Sequence, residues 1–76
     1  MKELLIYLAK HLVDDPDSVV VTEEQKESEI LFTLKVAPDD MGKIIGRHGR
    51  IAKELRTVMK SAATRRSVKV DVSIVD

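Results

Sequence analysis

Leu4, Leu5, Leu8 and Leu12 recur at three- and four-residue spacings, which lays an apolar stripe along a short helix. Asp14-Asp15-Pro16 ends it, because proline disfavours a helical residue before it and aspartate suits a turn. The β-branched run Val19, Val20, Val21 and Thr22 predicts a strand, and Lys26-Glu27-Ser28 a polar turn. Ile30, Phe32, Leu34 and Val36 then alternate with Leu31, Thr33 and Lys35, the period of a strand with one buried face. Together the two strands read as a hairpin. Pro38-Asp39-Asp40 reads as a helix start, its carboxylates placed to cap free amides and to complement the dipole of a short helix from Met41 to Ile45.

Past Gly46 and Gly49, the residues Ile51, Leu55, Val58, Met59 and Ala62 share one face of a second, longer helix. Lys53, Arg56 and Lys60 cluster opposite that face, with Arg50 nearer the glycines. Val68, Val70, Val72 and Ile74 alternate with Lys69, Asp71 and Ser73 and predict a third strand. Two helices between the second and third strands make a crossover that sets those strands side by side in parallel. The predicted fold is therefore α+β, in the order α-β-β-α-α-β, with a three-stranded mixed sheet packed against three helices. No repeat, linker or low-complexity stretch interrupts it, so residues 1–76 are expected to form a single domain.

Composition narrows the chemistry. Hydrophobic residues make up 43% and charged residues 34% of the chain, enough for one small core. Cysteine is absent, which removes disulfides, thiolate metal sites and thiol nucleophiles, and two histidines cannot assemble a metal cluster. No cofactor is expected. The apolar run Leu4 to Ala9 is too short to span a bilayer and lacks a cleavage pattern, so the expected location is the cytoplasm. The net charge of zero conceals an asymmetry: Met1 to Asp40 carries four Lys or Arg against ten Asp or Glu, and Met41 to Asp76 nine against three. Such charges simply face water unless a geometry focuses them.

Gly46 and Gly49 supply a candidate geometry. Structurally, Gly46 could close the first helix in a left-handed conformation while Gly49 lets the chain turn. Functionally, missing β-carbons let a sugar-phosphate backbone approach the free amides that open the next helix, with Arg47, Arg50 and Lys53 adding positive charge. Two glycines three apart do not decide between these readings.

The wider stretch Gly42-Lys43-Ile44-Ile45-Gly46-Arg47-His48-Gly49-Arg50-Ile51 resembles the KH signature of paired isoleucines, GxxG and a following helix. Gly42, Ile44, Ile45, Gly46, Gly49, Ile51 and Leu55 stand at the expected spacing, and Arg47 and His48 fill the two variable loop positions. A helix and strand ahead of the β-α-α-β core resemble the type II arrangement. In size and in its leading helix the chain resembles the small bacterial single-KH proteins of the KhpA (YlqC) family over essentially all of its length.

That resemblance implies binding of single-stranded RNA, about four nucleotides at a time, with the loop clamping the backbone and a groove receiving the bases. Amides from Arg47 to Arg50 would take phosphate oxygens. Ile44 or Ile45, Ile51 and the third strand would wall an aliphatic groove, one of the two isoleucines facing the core. Lys43 and Lys53 would reach flanking phosphates or remain solvated, and His48 would touch phosphate or stand in water. The resemblance also implies self-association, or pairing with a larger KH-containing bacterial protein of the KhpB/Jag kind, and a role as RNA chaperone or post-transcriptional regulator connected to cell growth and shape.

Other classes fit less well. Folds that stack bases on aromatic rings need several exposed rings, and Tyr7 and Phe32 are both expected in core or edge packing. An enzyme would need a nucleophile and base or paired carboxylates in a pocket, and the acidic residues lie instead near turns and strand edges. Gly42-Lys43 lacks the upstream glycine and following hydroxyl of a nucleotide-binding loop. A protein-interaction module using the same surface stays open beside RNA binding.

Overall fold

A computed structural model of the chain describes residues 1–46 and 49–76. The elements run α1 (Lys2–Leu12), a single 3-10 turn (Pro16–Ser18), β1 (Val20–Gln25), β2 (Glu29–Lys35), α2 (Pro38–Arg65) and β3 (Lys69–Val75). The sheet order is β1-β2-β3, with β1 antiparallel and β3 parallel to the central strand. This is the expected α+β fold, with one refinement. The two central helices join into a single helical run of 28 residues. A straight helix of that length would measure about 42 Å, yet the longest dimension of the molecule is 34 Å, so α2 bends. The bend falls at Gly49, whose φ of +68° is left-handed. α2 is therefore two arms, and the order α-β-β-α-α-β holds.

The helices cover one face of the sheet. Val21, Phe32, Leu34, Val70 and Val72 point into the core, where Leu5 and Ala9 of α1 and Ile44, Ala52, Leu55, Met59 and Ala63 of α2 meet them. The alternate row Thr22, Thr33 and Ser73 lies in register across the opposite, uncovered face. Helical packing differs from expectation at Leu12, Val58 and Tyr7, all of them exposed. Ala52 and Ala63 sit at the centre of the buried face of α2 because their small side chains allow close approach to the sheet, which turns Val58 outward to 42% exposure. Tyr7 is 61% exposed and rests on the His11 ring, so its expected place in the packing is corrected.

The N-terminus of α2 also differs from expectation. Ala37 is the N-cap and no side chain caps it. Asp40, buried to 2% exposure, instead accepts the backbone N–H groups of Asp14 and Asp15 at 3.0 and 3.1 Å, fastening the turn after α1 to the start of α2. At the other end, Val68 N–H reaches Ala63 O and Ser67 N–H reaches Thr64 O, the paired bonds of a Schellman motif. Ser67 takes the left-handed position, φ 57°, usually filled by glycine.

Candidate nucleic-acid interface

The bend of α2 brings Gly46 and Gly49 to the surface. Gly46 keeps a helical backbone, so Gly49 and not Gly46 is the left-handed residue. A β-carbon placed on either glycine would meet nothing within 4 Å. Glycine at Gly46 thus serves no internal packing need and weakens the helix by about 1 kcal/mol relative to alanine. What it leaves is an accessible stretch of backbone. The side chains of Arg47 and His48, two of the predicted contacts, lie outside the described residues.

The paired isoleucines divide as the 100° helical step requires. Ile44 is fully buried, which removes it from the predicted groove wall; it packs in the core between α2 and the sheet. Ile45 is 46% exposed beside the bend. Ile51, half-buried, lines a surface groove of about 520 Å3 together with Leu12, Asp39, Gly42, Lys43 and Gly46. That groove opens toward the end of α1 and does not include β3.

The basic residues sort the same way. Lys43 forms a close ion pair with Asp14, so this predicted phosphate contact carries an internal competitor. Arg50 lies 3.6 Å from Glu54 on the exposed face. Lys53 is exposed and has no ion-pair partner among the described residues. Gly49, Lys53, Arg56 and Lys60, spaced by four, three and four residues, form one stripe along the second arm. Arg56 donates from Nε to the Val72 carbonyl at 3.2 Å, which places the stripe along the outer edge of β3.

The family profile described as "KhpA/KhpB, KH domain" matches residues 2–74 of the chain. The chain belongs to the KhpA/KhpB KH-domain family. Similar proteins include RNA-binding protein KhpA of Clostridium acetobutylicum, 55% identical over 75 residues that cover 99% of this chain and all of the relative. RNA-binding protein KhpA of Clostridium perfringens is 53% identical over the same shares. The protein of that name from Listeria monocytogenes is 37% identical over the full length of both chains. No solved structure matches the chain significantly.

For a KhpA/KhpB KH domain, the loop and the basic stripe were legible as residue types, but two features of the surface were not. Asp14 belongs to the turn after α1, which Asp40 fastens to α2, and there it meets Lys43. Arg56 looked like one of several solvated cations, and only the packing of α2 on β3 shows it half-buried against a strand edge. Among the described residues no cluster of three or more His, Cys, Asp or Glu could hold a metal ion, and no helix is long and apolar enough to cross a membrane.

Proposed function

We propose that this chain acts as one KH unit that binds single-stranded RNA, taking the sugar-phosphate backbone at the Gly46-Arg47-His48-Gly49 bend and leading the strand along the seam between the second arm of α2 and β3. The observation that carries the reading is the bend itself: two glycines with open space around them, beginning a stripe of Lys53, Arg56 and Lys60 beside an exposed strand edge. Backbone amides near the start of the second arm and the positive stripe act on the same polyanion. Arg50 and Lys43 contribute at the margin, each against an acidic neighbour. Ile45 and Ile51 supply apolar surface on either side of the bend. The relatives are named as RNA-binding proteins, which agrees with this chemistry. Binding without catalysis, in the cytoplasm, as an RNA chaperone or post-transcriptional regulator connected to cell growth and shape, is the role we assign.

The test replaces Arg47 and His48 together by Asp, putting negative charge where phosphate is proposed to lie, and measures crosslinking to cellular RNA alongside a folding check. Loss of crosslinking in a folded variant is expected. Retained crosslinking would refute the assignment of the loop.

A second reading has its own observation. Leu8, Leu12, Leu55 and Val58, with His11 and Glu54, line a mainly apolar cleft of about 190 Å3 between α1 and the second arm, on the side away from the basic stripe. This face suits a second copy of the chain or a larger KhpB/Jag-like KH protein, and the two interactions coexist because their surfaces differ. Salt separates them. RNA held through about three phosphates weakens with a log-log slope near −2, at roughly 0.7 counterions per single-strand phosphate. Apolar association barely responds.

A further inference from the structure

β3 is an edge strand, and successive residues of a strand turn their N–H and C=O groups to alternate sides. The Val75 carbonyl accepts the Val36 N–H at 3.1 Å on the β2 side. Val72, three residues earlier, therefore presents its backbone groups outward, along the seam. Both are already occupied. The Asp71 carboxylate accepts the Val72 N–H at 2.9 Å, and Arg56 Nε donates to the Val72 carbonyl at 3.2 Å. The bond through Nε fixes the guanidinium against the strand edge. Its two Nη groups have no hydrogen-bond or ion-pair partner among the described residues. Arg56 stands seven residues beyond Gly49 on the same side of the arm, about 10 Å along the axis.

From this arrangement we propose that Arg56 is the base-reading residue of the seam and that it selects guanine over adenine. The inference rests on the proposed RNA path and adds to it which group recognises the base. A base lying against β3 at Val72 finds the backbone N–H taken by Asp71 and the carbonyl already shared with Arg56. It meets instead the planar pair of Nη donors, held in place by a bond on the far side of the same group. Guanine offers O6 and N7, two acceptors spaced for such a fork. Adenine replaces the O6 acceptor with an amino donor, so one Nη would face a donor. The bases of single-stranded RNA are unstacked enough to present either edge. Lysine in place of Arg56 keeps the charge and loses both the fork and the Nε anchor.

The experiment uses the full chain and uridine octamers carrying one central guanosine, inosine, 7-deazaguanosine or adenosine, read by fluorescence anisotropy. Guanosine and inosine, which share O6 and N7, are expected to bind about tenfold more tightly than adenosine. 7-Deazaguanosine, lacking N7, falls between them. In Arg56→Lys, confirmed folded by its amide spectrum, the ratio of guanosine to adenosine affinity drops below about threefold whatever the absolute affinity. Equal binding of guanosine and adenosine by the unaltered chain, or an intact ratio in Arg56→Lys, overturns the assignment of Arg56. The analogue series needs no variant and can still overturn guanine selection if Arg56→Lys does not fold. Absence of binding to every octamer defeats the RNA reading itself, a result distinct from binding without base preference.

Discussion

Ile44 and Ile45 are neighbours in the chain and face opposite ways, the first fully buried in the core and the second 46% exposed at the bend of α2. Stability and RNA binding should therefore separate between them. Ile44→Ala is expected to cost about 2–5 kcal/mol, the transfer of the lost atoms plus the cavity they leave. Ile45→Ala should cost under about 1 kcal/mol while weakening RNA binding several-fold. Urea midpoints and anisotropy on the two variants check this, and comparable stability losses would remove the distinction.

Asp40 gives a second prediction. Each of its carboxylate oxygens accepts one backbone N–H, from Asp14 and Asp15, in a position almost without solvent. Asn at this position can supply one acceptor and turns an amino donor toward the other N–H. Leaving a buried donor unmatched costs about 1–3 kcal/mol, which exceeds what is regained by removing a partly compensated charge. Asp40→Asn should lower the urea midpoint with an unchanged denaturant slope. A midpoint within error of the parent would show that the turn is held by other contacts.

Much of the architecture was readable from periodicity. The alternation Phe32, Leu34, Val36 and Val70, Val72 named the buried face of the sheet correctly because a strand has only two sides. The helices were read less well. Hydrophobic weight favoured Val58 in α2, but packing distance favoured Ala52 and Ala63, so the buried face turned toward the smaller residues. The loop glycines were visible as motif residues, yet which of them is left-handed depends on backbone geometry, and that is Gly49. Arg56 with Val72 and Asp40 with Asp14 join positions 16 and 26 residues apart. Their meeting follows from how elements register in space, for which local spacing carries no signal.

Lys43 and Asp14 form an exposed ion pair at the rim of the groove. A phosphate drawn to Lys43 must displace that carboxylate. Exposed pairs of this kind are worth well under 1 kcal/mol, so Asp14→Asn should strengthen RNA binding by about twofold at low salt, with the gain shrinking as salt screens the competition. Titrations at two ionic strengths provide the check. Unaltered or weaker binding at low salt would mean that Lys43 takes no part.

Ser67 closes α2 in the left-handed position of its Schellman motif. An L-residue there carries a strain of about 1–2 kcal/mol, against about 0.5–1 kcal/mol of extra unfolded-state freedom for glycine. Ser67→Gly should therefore stabilise the fold by roughly 0.5–1 kcal/mol, seen as a raised melting temperature. No change, or a lower one, would mean that the serine side chain offsets its own strain.

At Gly49 the demand is one of handedness alone, since φ is +68° and the space around a β-carbon is empty. A chain of 76 residues is within reach of chemical synthesis, and mirror-image alanine can be installed at that one position. D-Alanine adopts positive φ as readily as its enantiomer adopts negative, so it should preserve the elbow of α2 that L-alanine would strain by about 1–2 kcal/mol. The D-variant would also carry a methyl group at the point where an approaching phosphate is proposed to pass. It would thus keep the shape of the hinge while obstructing its mouth, dividing what glycine does for the chain from what it does for a ligand.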